Sequence, residues 1–135
     1  MKLSIDPNLC LSRYYGDPTV GTAIKALVPD AEFVIRSDAD KQLEWLDKND
    51  SSCPDIKDIE NKVKELRNNH AVEVLRKERN KKLVETDWMS FSDSPTMTAK
   101  WKTYRKALRD ITSTQTPELD EYGQLANVTW PTKPE

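Results

Sequence analysis

Four arginines and a set of aromatic rings are the side chains of this chain best equipped for chemistry, and that chemistry is contact rather than catalysis. Trp101, Tyr104, Leu108 and Ile111 fall at i, i+3, i+7 and i+10, which on a helix makes one continuous face. Arg105 and Arg109 stand one turn apart on its flank. Arg76 and Arg79 precede Asp87 and Trp88, Asp110 follows Arg109, and Trp130-Pro131 comes near the end. A guanidinium can fork onto a carboxylate or stack on a ring. The expected arrangement is a small shared core of Trp88, Trp101, Tyr104, Leu108 and Trp130. Ion pairs from the arginines to Asp87 and Asp110 would tie the helix ends together, and part of the aromatic set would stay open for a partner. Exposed, each such pair contributes only ~0.2–1 kcal/mol, so it orients more than it stabilises.

No reaction centre competes with this reading. His70 is the only histidine, and it sits on an apolar stripe, where a packed or interface imidazole is expected. Cys10 and Cys53 are far apart, with no Cys-x-x-Cys spacing; two reduced thiols are expected rather than a disulfide or a metal site. With three glycines in the whole chain, there is no loop to cradle a phosphate and no nucleophile elbow. The expectation is no catalytic residue, no metal, no cofactor and no enzyme activity.

The elements that must carry these residues are mostly helical. From Asp55 to about Thr86 neither glycine nor proline intervenes, so one long helix is expected. Asp55, Asp58 and Glu60 near its start and Lys81 and Lys82 near its end complement its dipole. Ile56, Ile59, Val63, Leu66 and His70 form a narrow stripe. Its phase then slips to Val72, Leu75, Arg79 and Leu83, and Asn68-Asn69 marks the place where a bend, a break or a change of packing partner is expected. So narrow a stripe predicts packing along another chain or against the C-terminal motifs. Ser94-Pro95, an N-cap followed by proline, predicts the opening of the Trp101–Ile111 helix.

Upstream, Lys2 to Ile5 reads as a short strand followed by a polar loop. Asp17-Pro18 predicts a helix start, Val20, Ala23, Ile24 and Leu27 a one-sided helix, and Pro29 its end. Alternation from Ala31 to Ser37, a turn at Asp38-Ala39-Asp40 and a paired run from Leu43 to Leu46 predict a hairpin. Downstream, Asp120-Glu121-Tyr122-Gly123 reads as a turn and Leu125 to Trp130 as a terminal strand. The fold class is therefore α+β, mostly helical. It divides into a small α/β region at 1–54, a connecting helix at 55–86 and a C-terminal helix-turn-helix module at 87–135, whose motifs begin at about 75.

Composition sets limits on that picture. Of 135 residues 36% are apolar and 33% charged, so the core is small and much of the chain is solvated or partner-facing. The net charge of −2 is unevenly spread: residues 75–109 hold ten Lys/Arg against four Asp/Glu, a net of +6, leaving −8 elsewhere. Basic residues interleaved with aromatic rings can bind single-stranded nucleic acid, but the acids in the segment and the acidic balance of the rest argue against it. No apolar run approaches the ~20 residues of a membrane span. Met1 to Asp6 is interrupted by charge too early for a signal peptide, so the chain is expected to stay where it is made.

The motifs also carry a resemblance. The run Leu75 to Trp88, with Arg-x-x-Arg-Asn before Thr-Asp-Trp, is followed by Trp101 to Ile111, with Trp-x-x-Tyr-Arg-x-x-Leu-Arg-Asp, and by Val128-Thr129-Trp130-Pro131. In that order these resemble the C-terminal domain of bacteriophage tail assembly chaperone and tail-fibre assembly proteins, over roughly the C-terminal half. The N-terminal part, Ala31 to Arg36 and Leu43 to Asp47 before a long helix, more distantly resembles small tail proteins of other phages. The chain departs from the family at Ile111-Thr112-Ser113-Thr114, where a proline usually follows, so a different helix exit is expected.

The resemblance implies a protein that binds a phage tail or tail-fibre polypeptide and shields its apolar surface and strand edges until assembly. Arg76, Arg79, Asp87, Trp88, Trp101, Tyr104, Arg105, Leu108, Arg109, Asp110, Trp130 and Pro131 are its candidate partner-binding or module-core residues. Self-association through helix 55–86 is a further expectation. Action in the host cytoplasm during assembly is implied. A permanent adaptor or decoration of the virion tail is the alternative.

Overall fold

A computed structural model describes residues 2–36 and 43–135. The expected turn at Asp38-Ala39-Asp40 lies outside the described residues. In order the elements are β1 (Lys2–Leu3), α1 (Pro7–Cys10), α2 (Val20–Leu27), β2 (Phe33–Ile35), β3 (Leu43–Trp45), α3 (Ile56–Val84), a 3-10 turn (Asp87–Ser90), α4 (Ala99–Arg109) and α5 (Ile111–Thr114). They fall into two compact units, one running to His70 and including Glu121–Gly123, the other comprising Ala71–Asp120 and Gln124–Glu135.

In the first unit β3 is the central strand. It pairs antiparallel with β2, Phe33 opposite Trp45 and Ile35 opposite Leu43. On its other side it pairs with β1, Leu3 opposite Leu43. The hairpin follows the alternation, and the short strand expected from Lys2 to Ile5 is present as β1; its pairing with β3 was not legible, because a two-residue strand has no period to read. Leu43 and Trp45 turn inward with Glu44 between them, and Glu44 meets Arg36 at 3.4 Å on the other face. Against the inner face pack Val20, Ala23 and Ile24 of α2 and Ile59 and Val63 of α3, with Ile56 and Leu66 partly buried beside them. The first half of the α3 stripe is thus covered within its own unit. The expected cover was another chain or the C-terminal motifs; for this half of the stripe α2 and the sheet supply it instead, at ~1.5–3 kcal/mol per fully buried aliphatic side chain.

The start of α2 differs from expectation. Thr19 is the N-cap and its N–H donates to the Thr22 hydroxyl at 3.3 Å. Asp17 is drawn elsewhere. Its carboxylate is buried and accepts from Arg13 Nε at 3.0 Å and from the Arg13 backbone N–H at 2.9 Å, with Arg67 of α3 at 3.5 Å. Burial by itself would raise the Asp17 pKa, but the Arg13 hydrogen bonds and the Arg67 charge hold it below its ordinary value. Arg67 also donates to the Pro18 carbonyl at 2.8 Å. His70 stacks on Tyr14, ring centroids 5.8 Å apart, the packed imidazole expected. Cys10 and Cys53 are free thiols, each raised in pKa chiefly by burial.

Helix α3 runs unbroken through Asn68-Asn69 for 29 residues, ~44 Å at 1.5 Å per residue. The phase slip marks a change of surroundings instead of a break. Residues to His70 belong to the first unit and those from Ala71 to the second, where Ala71 and Leu75 are buried.

Candidate protein-docking surface

The second unit holds every candidate residue, and its buried members are Ala71, Leu75, Thr86, Tyr104, Leu108, Ile111 and Pro117. Helix α4 begins at Ala99, with Thr98 as N-cap accepting from the Trp101 N–H, not at Ser94-Pro95. Ser94 instead donates its hydroxyl to the Trp88 carbonyl, which ties the loop back on itself. Beyond Asp110 the chain makes the separate one-turn helix α5. Tyr104 and Leu108 face inward as the spacing predicts. Trp101 is half-buried and meets Tyr104 edge-on, centroids 5.8 Å apart at 84°. Burial, then the Glu85 carboxylate, raises the Tyr104 pKa.

Trp88 does not join this core. It is 50% exposed on the 3-10 turn, and Val84 and Phe91 beside it in sequence are 67% and 61% exposed. Phe91 closes the turn, its N–H donating to the Trp88 carbonyl at 3.2 Å. A tryptophan at a helix corner reads alike from sequence whether its ring turns in or out. Here Leu75 and Ile111 fill the interior, and the ring is left in water.

Arg105 is the best-held of the four arginines. Its guanidinium donates to the Leu83 carbonyl at 3.0 Å, the Thr86 hydroxyl at 2.6 Å and Asp87 Oδ1 at 2.8 Å, and its side chain is only 13% exposed. The end of α3 leaves carbonyls unpaired by the helix itself and carries partial negative charge. A cation arriving from α4 satisfies both. The expected Arg–Asp pair therefore exists at Asp87, with Arg105. Asp110 pairs instead with Lys106, at 3.8 Å, because i,i+4 neighbours on one helix meet more readily than residues of different elements. Arg79 donates to Asn80 at 3.1 Å; Arg76 and Arg109 are exposed.

The C-terminal stretch is a stitched loop rather than a strand. Leu125 makes a single bridge to Leu119, around a turn where Gly123 takes φ 79°. Asn127 accepts from the Glu118 N–H at 2.8 Å and donates to the Thr116 carbonyl at 2.9 Å. A side-chain amide thus substitutes for the ladder that alternation from Leu125 to Trp130 predicts. Trp130 lies under the Lys82 ammonium, 4.9 Å from the ring centroid, and Lys133 reaches Glu85 at 3.7 Å. Between this tail and α4 runs an open groove of about 480 Å³, bordered by Ala99, Tyr104 and Ala107 on one side and Pro131 and Pro134 on the other.

Chemically this unit presents apolar and basic contact surface. Val84, Phe91, Lys82 and the groove-lining alanines were missed from sequence. Phe91, three residues after Trp88, was the available signal. Among the described residues no group of three or more His, Cys, Asp or Glu could hold a metal ion, and no helix is long and apolar enough to cross a membrane. Residues 72–135 match the family described as phage tail assembly chaperone protein. No curated protein and no solved structure matches the chain.

Proposed function

We propose that this protein, whose residues 72–135 belong to the phage tail assembly chaperone family, binds a tail or tail-fibre polypeptide and shields it until it assembles. The observation that carries the reading is the exposed set Val84, Trp88 and Phe91 inside the matched segment. Binding energy at protein interfaces concentrates in a few large side chains, tryptophan foremost. These three sit where Arg105 clamps the end of α3 to α4, on a rigid mount, so little ordering is needed on binding. A growing tail or fibre exposes apolar surface and unpaired strand edges. Covering them takes contact surface and no catalytic group, and this unit supplies that. The site of action on this reading is the host cytoplasm during assembly.

Co-expression with the tail and tail-fibre polypeptides of the same phage, followed by affinity capture, tests the proposal. Wild-type protein is expected to retain one of them. Trp88→Ala and Phe91→Ala are expected to melt normally and to lose it by a hot-spot-sized ~2 kcal/mol or more. Capture unchanged by both substitutions would overturn the assignment of the corner. Stoichiometric presence in purified virions would replace the transient chaperone by a permanent adaptor.

A further inference from the structure

We infer that the groove between α4 and the C-terminal tail takes an amphipathic helix of the bound tail polypeptide, apolar on the inserted side and acidic beside it. This rests on the assembly reading but concerns a different surface from the Val84–Trp88–Phe91 corner. Three features select the occupant. The first is the groove's volume of about 480 Å³, within the usual range for a ligand cleft. It admits a few side chains and not a domain. Ala99, Thr103 and Ala107, at i, i+4 and i+8 on α4, border it and keep that wall low enough for close approach.

The second feature is what the walls lack. An added strand needs N–H and C=O groups from alternate residues along one edge. The α4 backbone is occupied by its own helix. In the tail Pro131 and Pro134 have no N–H, and they fall on opposite edges. On the edge of 131 and 133 only Lys133 could donate, and on the edge of 132 and 134 only Thr132. One donor per edge cannot support a ladder, so the occupant must satisfy its own backbone, as a helix does.

The third feature is charge. Lys100 and Lys133 line the groove and no Asp or Glu does, in a segment whose residues 75–109 carry a net of +6. Lys133 also faces Glu85 at 3.7 Å, while Lys100 is exposed at the start of α4. Acidic residues flanking the inserted face complement this pair. A second copy of the basic helix α4 would be repelled by it.

The test uses overlapping 20-residue peptides tiled through the tail and tail-fibre polypeptides of the same phage, titrated into the full-length ¹⁵N-labelled protein. Binding peptides are expected to be acidic, to gain helical circular dichroism on binding and to shift the Thr103 and Ala107 amides. Thr103→Trp, at an exposed position that fills the groove, should weaken them at least tenfold while melting as wild type. Lys100→Glu should weaken them about fivefold, the size of reversing one exposed charge. Binders that stay extended or are basic, shifts confined to residues near Trp88 and Phe91, affinity untouched by Thr103→Trp, or no binding peptide at all would overturn the inference. So would concentration-dependent dimerisation abolished by Thr103→Trp. Capture of an intact tail polypeptide without groove binding leaves the assembly reading standing and removes only this one; failure of capture removes both, since the groove's occupant belongs to the captured polypeptide.

Discussion

Replacing Arg105 by alanine should destabilise the C-terminal unit, although the sequence places this residue on the flank of a contact face. The guanidinium makes three charge-assisted hydrogen bonds, to Leu83, Thr86 and Asp87. Hydrogen bonds to charged groups are worth ~1.5–3 kcal/mol each, and three would sum to more than such a unit can lose. Two facts reduce the figure. The Leu83 carbonyl also accepts from the Thr86 backbone N–H at 3.1 Å and the Thr86 hydroxyl at 3.2 Å, so neither group is orphaned when the arginine goes. Asp87 has a side chain that is 50% exposed and regains water. What remains is the bond to a buried hydroxyl, the cation at the end of α3 and the packing of the arginine stem, together ~2–3 kcal/mol. For a unit of this size that lowers Tm by ~10–20 °C. Thermal unfolding followed by tryptophan emission reads it, since Trp88, Trp101 and Trp130 lie in this unit and only Trp45 in the other. Arg105→Lys should fall between, because an ammonium reaches one acceptor where the fork reaches three. Arg109→Ala, at an exposed position, is the control and should melt as wild type. Arg105→Ala melting within ~2 °C of wild type would refute the clamp and return Arg105 to the set of free contact residues.

Three further outcomes are expected. Gly123→Ala should destabilise more than Gly16→Ala in urea titrations: both take positive φ, but a Cβ at Gly123 would lie 2.9 Å from the Tyr14 ring whereas one at Gly16 meets nothing within 4 Å. The Asp17 pKa is lowered in the fold, so its contribution is complete above the ordinary carboxylate value of 3.8 and is lost as pH falls below it through the folded-state value. Asp17→Asn should therefore be less stable than wild type at neutral pH and lose less on acidification, a contrast that urea midpoints at pH 7 and pH 3 would reveal. Ile59→Ala, which empties a fully buried position, should cost ~2–5 kcal/mol with a Tm independent of protein concentration. A melting point that rises with concentration in the wild type would show that α3 buries part of its stripe between chains after all.

Much of the secondary structure was legible because it is written locally. The absence of glycine and proline from Asp55 to Thr86 predicts α3 (Ile56–Val84) nearly to its ends, and alternation about Phe33–Ile35 and Leu43–Trp45 predicts their pairing. The turn at Asp120–Gly123 follows from the one residue type at home at positive φ. The three aromatic-basic motifs in fixed order lie within residues 72–135, the segment that matches the phage tail assembly chaperone family. What side chains do inside that segment was decided only through space. Tyr104 and Trp88 sit in equally convincing motifs, yet one is buried and the other half in water, because burial depends on which side chains other elements bring against each ring. Arg105 and Arg109 are one turn apart and chemically identical. Only the end of α3, some twenty residues away along the chain, makes the first a clamp and leaves the second free. Leu125 to Trp130 has the alternation of a strand and no partner strand to pair with, so Asn127 takes over the hydrogen bonds instead. Local pattern sets which conformations the backbone prefers; which face meets protein and which meets water is set by contacts distant in sequence.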